Sequence, residues 1–185
     1  MTDLIARHPT SVIGQYAPHV YWLTGLPASG KSTLARALEA RLSAFDIPVA
    51  RLDGDELRKG LCADLGMDEA SRAENIRRAG EVAKLMHAAG LTVVCAFISP
   101  FQADRQRVRG LFRPGEFSEI YLSTPLEECL NRDPKGLYAR ARRGEIQGFT
   151  GWDAPYEVPQ SAEFTFDTGR IALDNILQTL APRIK

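Results

Sequence analysis

The chain has 185 residues, 44% hydrophobic and 25% charged, which suits one well-buried domain and is short for two. Lysine plus arginine number 23 and aspartate plus glutamate 23, so the basic excess expected of a broad nucleic-acid-binding face is missing. The longest apolar run, "LTVVCAFI", is far too short to cross a bilayer, and the three cysteines (Cys62, Cys95, Cys129) lack metal-ligand spacing.

In chain order, residues 1–18 show no periodicity and no signal-peptide pattern, and are expected to form an arm before a single domain over 19–185. A reduced cytoplasm is the expected compartment. "HVYWLTG" reads as a short strand ending in glycine, and Leu34, Leu38 and Leu42 then mark one stripe of a helix. "IPVARLDGD" is a second strand ending in carboxylates. From Asn75 to Gly90, Ile76, Ala79, Val82, Ala83 and Met86 share a helical face. "LTVVCAFIS" is a strand buried on both sides, with Cys95 as a small hydrophobe. Ser99 is a candidate N-cap for the next helix, with Pro100 at its first position and Gln102 completing a capping box. "SEIYLST" is a fourth strand, followed by a helix from Pro125 to Arg132. Residues 133–160 are rich in Gly, Pro and Arg without a clean period. "EFTFD" is a fifth strand and Ile171–Leu180 a closing helix. This alternation predicts an α/β three-layer sandwich: a mostly parallel five-stranded sheet with helices on both faces and ligands beyond the strands' carboxyl ends.

Gly25-x-x-x-x-Gly30-Lys31-Ser32 fits the P-loop pattern and lies between a strand and a helix. Its main-chain N–H groups point at phosphate oxygens, Lys31 supplies charge to the β and γ phosphates, and the Ser32 hydroxyl suits Mg²⁺. "LDGD" then places Asp53 and Asp55 two apart at the next strand end, able to turn the same way if strand geometry persists. One carboxylate would serve Mg²⁺ and the other accept a hydroxyl proton; the competing reading is a plain Asp-Gly turn.

In "SRAENIRRAGEVAK", Arg77 and Lys84 project away from the apolar face, Arg77 paired with Glu81. Arg72 and Asn75 fall on the inward side, so Arg72 needs an anionic partner: a ligand, or Asp64 or Asp68. Arg58 is placed to reach the same anion. "RDPKGLYARARRGEIQGFTG" suits a mobile basic lid, where Phe149, with little local core to join, is free to stack on a base.

"GLPASGKST", "LDGDELRKGL", "SRAENIRRAGEVAKL", "AGLTVVCAFISP", "RDPKGLYARARRGEIQGFTG" and "PYEVP" together resemble the adenylylsulfate kinase family, from about Val20 to Pro159. The resemblance implies a P-loop NTPase-like fold and transfer of the ATP γ-phosphate to the 3′-hydroxyl of adenosine 5′-phosphosulfate, with Mg²⁺. It implies ATP contacts at Gly25, Leu26, Pro27, Ala28, Ser29, Gly30, Lys31, Ser32, Thr33 and Arg132, with the metal on Ser32 and Asp53. Lys31, Asp53, Asp55 and Ser99 would be catalytic. Asp55, Arg58, Met67, Arg72, Asn75, Ile98, Ser99, Lys135 and Phe149 would face the acceptor, the Phe149 ring against its adenine. The family's serine at Ser99 is traditionally assigned as a phosphorylated intermediate, a step that direct in-line transfer does not need.

Two departures from the family stand out: Met67 where many members have Phe, which trades stacking worth about 0.5–1.5 kcal/mol for apolar contact, and Cys62 where Asn is common. No nucleic acid and no membrane are expected as partners; a homodimer and association with a separate ATP sulfurylase stay open. A kinase of another small hydroxyl acceptor, and a non-catalytic nucleotide-binding regulator, are the competing functions.

Overall fold

The computed structural model describes residues 17–180, so the expected arm over 1–18 lies outside the described residues apart from Ala17 and Pro18. Five strands form one sheet: β1 (Val20–Gly25), β2 (Val49–Asp53), β3 (Thr92–Ala96), β4 (Phe117–Leu122) and β5 (Phe164–Phe166). Their order is β2-β3-β1-β4-β5, and the sheet, expected to be mostly parallel, is wholly parallel. Central β1 sets Val20 opposite Val93 on one side and opposite Phe117 on the other.

Alternation along β1 divides the core in two. Tyr21 and Leu23 pack with α1 (Lys31–Ser43) and α7 (Leu173–Leu180), through Leu34, Leu38, Leu42, Ile176 and Leu180. Val20 and Trp22 pack on the other face with α3 (Glu69–Ala88) and α4 (Gln102–Arg109), through Ile76, Ala79, Ala83 and Val108. Cys95 lies in this second layer, fully buried as expected, and burial pushes its thiol pKa up.

Helix boundaries differ from the expected ones where polar chemistry outweighs periodicity. Helix α3 starts at Glu69, six residues before the expected start at Asn75, because the Asp68 carboxylate accepts the Ser71 N–H at 3.0 Å and caps it. A single-turn helix, α2 (Gly54–Leu57), follows β2 directly. Helix α5 (Leu126–Arg132) falls as expected, but the aperiodic segment after it contains α6 (Leu137–Arg142). In α6 only Tyr138 and Ala141 are buried, too few for a visible period, and Asp133 starts it by accepting the N–H groups of Tyr138 and Ala139 at 3.2 and 3.0 Å.

Candidate active site

Parallel pairing puts all five carboxyl ends on one edge of the sheet, and the functional side chains gather there. β1 ends at Gly25, with φ +149°; a Cβ here would lie 2.7 Å from the Leu122 carbonyl oxygen, so only glycine fits. The turn Leu26–Pro27–Ala28–Ser29 leads to Gly30, a left-handed N-cap with φ +96°. Gly30 has no side chain to cap α1, the condition under which a helix start binds anions. The Ser29 carbonyl accepts from the hydroxyls of Thr124 (3.2 Å) and Thr168 (2.9 Å), which tie the loop to the ends of β4 and β5. Thr33 follows on the exposed side of α1.

Lys31 Nζ donates to the carbonyls of Gly25 (2.9 Å) and Leu26 (2.7 Å). Desolvation pushes its pKa down to about 8 from 10.5. The unfolded chain therefore holds more protons between those values, and this group's contribution to stability rises with pH through that window. Bound phosphate favours the ammonium form. ATP binding at pH 9 is thus expected to take up a large part of about one proton, read by calorimetry in buffers of different ionisation enthalpy. The uptake should vanish in Lys31→Met; equal uptake in both proteins would contradict it.

The Ser32 hydroxyl donates to Asp53 Oδ2 at 2.8 Å, and Asp53 Oδ1 accepts the Asp55 N–H at 3.0 Å, capping α2. The expectation that Asp53 and Asp55 turn the same way needs correction. Helix α2 begins between them, which buries Asp53 and leaves the Asp55 side chain 61% exposed, paired with Lys135. The plain-turn reading also fails, since Asp53 ends a strand and caps a helix.

On the acceptor side, half-buried Arg58 donates to the Gly66 carbonyl at 2.9 Å. Arg72 donates through Nε to the Met67 carbonyl at 2.7 Å and through its terminal nitrogens to the Thr150 hydroxyl and the Gly148 carbonyl. Neither carboxylate weighed for it is its partner: Asp64 pairs with Arg78 at 2.7 Å and Asp68 caps α3. Desolvation, then the neighbouring charge of Arg58, lower the Arg72 pKa, opposed by Asp153 and Asp68. Asn75 is 5% exposed, and its side-chain oxygen is buried without a hydrogen-bond partner among the described residues. Met67 is exposed at the rim. The expected Arg77–Glu81 pair is not the one formed: Arg77 turns back to Glu74 at 2.6 Å, on the exposed face.

Ser99 does not cap α4. Its φ is +39°, its hydroxyl donates to Thr24 Oγ1 at 3.0 Å and accepts from the Trp22 indole at 3.2 Å, and the side chain is 1% exposed. Phe101 is the N-cap position, Pro100 precedes it, and the Gln102 N–H goes to the Glu157 carboxylate at 2.5 Å instead of into a capping box. The Ile98 carbonyl accepts the Thr24 hydroxyl at 2.7 Å.

Phe149 does have a core to join. It is 8% exposed, meets Tyr138 edge-on with centroids 4.9 Å apart, and packs with Cys129 and Ala141 against Leu26 and Ala28 of the phosphate loop. Asp153 accepts the N–H groups of Gly148 (2.8 Å) and Phe149 (2.5 Å), and Tyr138 donates to the Pro27 carbonyl at 3.2 Å. On the opposite side of the loop, Arg132 donates to the Thr168 hydroxyl (2.7 Å) and carbonyl (3.0 Å). It lines a cavity of ≈ 160 Å³ with Gly30, Thr33, Thr168, Ile171 and Leu173. Thr24, Thr124, Thr168 and Tyr156 were not foreseen. The threonines sit at or just past strand ends, and that position, on the edge where ligands bind, was the available signal.

A wholly parallel sheet with a phosphate loop after its central strand, and two arginines hydrogen-bonded to neutral oxygens beyond edge strand β2, defines a P-loop nucleotide-binding fold. The adenylylsulphate kinase family model matches residues 17–167, and the chain belongs to that family. It is 50% identical over 176 residues to the adenylyl-sulfate kinase of Marinobacter nauticus, covering 95% of this chain and 88% of that protein. It is also 56% identical over 151 residues to the bifunctional enzyme NodQ of Azospirillum brasilense, of whose length it spans 24%. Among solved structures, the APS kinase of Mycobacterium tuberculosis in complex with AMPPNP and APS superposes with a TM-score of 0.86 at 40% identity, covering 91% of this chain and 98% of that one. Among the described residues no helix is long and apolar enough to cross a membrane.

Proposed function

We propose that this chain transfers the γ-phosphate of ATP to the 3′-hydroxyl of adenosine 5′-phosphosulfate, giving 3′-phosphoadenosine 5′-phosphosulfate and ADP. The observation that carries the acceptor assignment is Arg72: a half-buried guanidinium beside Arg58 whose hydrogen bonds among the described residues go to neutral oxygens. Such a charge is completed by an anionic ligand.

In this reading the uncapped start of α1 and the turn from Gly25 to Ser32 hold the ATP phosphates, and Lys31 leaves its own loop carbonyls for the β and γ phosphates. Thr33 and Arg132 belong to the cavity that takes the ATP base. Ser32 and Asp53 fit Mg²⁺, being hard oxygen donors in contact. When bound, Mg²⁺ neutralises charge on the phosphates. Asp55, exposed toward the lid, takes the proton as the acceptor oxygen bonds to the γ-phosphorus and the bond to the β-phosphate oxygen breaks. Arg58 and Arg72 hold the phosphosulfate, and the Asn75 side-chain oxygen accepts a donor from the nucleotide. Met67, Ile98 and Ser99 border the acceptor. Ser99 serves by position, since its hydroxyl is already committed to Trp22 and Thr24. Residues 133–160 act as the lid, with Lys135 leaving Asp55 for an anion. Phe149 meets the acceptor's adenine only with the part of its ring not packed on Tyr138.

Arg72→Ala tests this. The KM for adenylylsulfate should rise by more than about tenfold, the loss of a charge-assisted hydrogen bond, while the KM for ATP stays within about twofold. Equal effects on both nucleotides would contradict the acceptor assignment.

A further inference from the structure

Arg105 has no part in the chemistry above, yet it is among the most deeply buried side chains. It lies on α4 at 2% exposure, with Nε 2.8 Å from Glu119 on β4. A buried arginine needs such a partner, and one carboxylate would satisfy its charge. The rest of its donors go elsewhere. One terminal nitrogen donates to the Ser99 carbonyl at 2.8 Å and the other to the Glu157 carbonyl at 2.7 Å, with the guanidinium over the Tyr156 ring, 5.7 Å from its centroid.

Those two carbonyls belong to segments far apart in sequence that meet beside the acceptor. Ser99 is held at φ +39°, a conformation that side-chain-bearing residues rarely adopt and that needs its surroundings to fix it. Glu157 lies at the trailing end of the lid. Its N–H donates to the Pro100 carbonyl at 2.8 Å, and Tyr156 bonds through its hydroxyl to Thr24 at 2.9 Å, the same hydroxyl that holds the Ile98 carbonyl.

We propose that Arg105 is a positioning residue for the acceptor, its fork joining the Ile98–Ser99 segment to the trailing end of the lid so that the two hold one geometry. The inference rests on the reading that Ile98 and Ser99 border the acceptor. Lysine cannot replace arginine in this role: it keeps the charge, but its compact ammonium lacks the planar fork that reaches both carbonyls while facing Glu119.

The test uses the full chain with adenylylsulfate and ATP. Arg105→Lys should raise the acceptor KM about tenfold and leave the KM for ATP within about twofold. Glu119→Gln weakens the same buried ion pair but spares both carbonyl links, so it should lower the melting temperature and leave both KM values within about twofold. Tyr156→Phe removes only the tether to Thr24 and should raise the acceptor KM about threefold; if Arg105→Lys does not fold, an unchanged acceptor KM in Tyr156→Phe overturns the proposal that the two segments hold one geometry. The proposal is overturned if Arg105→Lys leaves the acceptor KM unchanged, raises both KM values alike, or behaves as Glu119→Gln does. Arg72→Ala run alongside separates the two readings. An acceptor effect there without one in Arg105→Lys sinks the positioning role alone; no effect in either sinks both.

Discussion

Lys31→Ala is expected to lower kcat by about a thousandfold or more while the protein still folds. The size follows from phosphoryl transfer itself: the protein contributes mainly position and charge, and a single cation aimed at the transferring group is worth about 10³–10⁵. The fold should survive because, among the described residues, the hydrogen bonds of Nζ go to its own loop, to the carbonyls of Gly25 and Leu26 and, at 3.5 Å, to the Ser29 hydroxyl. Its removal also relieves the desolvation that holds its pKa near 8. A melting temperature within about 3 °C of the parent, beside the lost turnover, is the expected pair of results. Near-normal turnover would mean that the phosphates lie elsewhere.

Asp53→Asn is expected to cost about 10²–10³ in kcat and to raise the Mg²⁺ concentration needed for half-maximal rate about tenfold. Asparagine keeps an oxygen to cap α2 through the Asp55 N–H, and the Ser32 hydroxyl can turn to accept from the new amide, so both short contacts survive in kind. What disappears is the negative charge in a site 8% exposed. An unchanged Mg²⁺ dependence, measured by coupled ADP release, would remove Asp53 from the metal site.

The centre of the sheet was legible because β1 and β3 are buried on both sides and read as continuous apolar runs, "VYWL" and "TVVCA". The phosphate loop was legible because glycine spacing is a backbone requirement: Gly25 and Gly30 adopt conformations that sequence pattern exposes. Periodicity placed Arg72 and Asn75 on the inward face of α3, where they are found half-buried and buried. Tertiary chemistry escaped. Ser99 carries every mark of an N-cap, but its hydroxyl is drawn to Trp22 and Thr24, contacts 77 and 75 residues away in sequence. Phe149 looked isolated because its partners Cys129 and Tyr138 lie in segments whose own burial was not visible. Arg105 carried no sequence signal of its own, since its partners sit on β4 and near the end of the lid.

The two-anion site is tested most directly by incubating the protein with Mg²⁺, ATP and adenosine 5′-phosphosulfate and resolving the nucleotides by chromatography. ADP and 3′-phosphoadenosine 5′-phosphosulfate should appear in equal amounts, with no phosphate released to water. A folded protein that binds ATP yet leaves adenosine 5′-phosphosulfate unphosphorylated would contradict it.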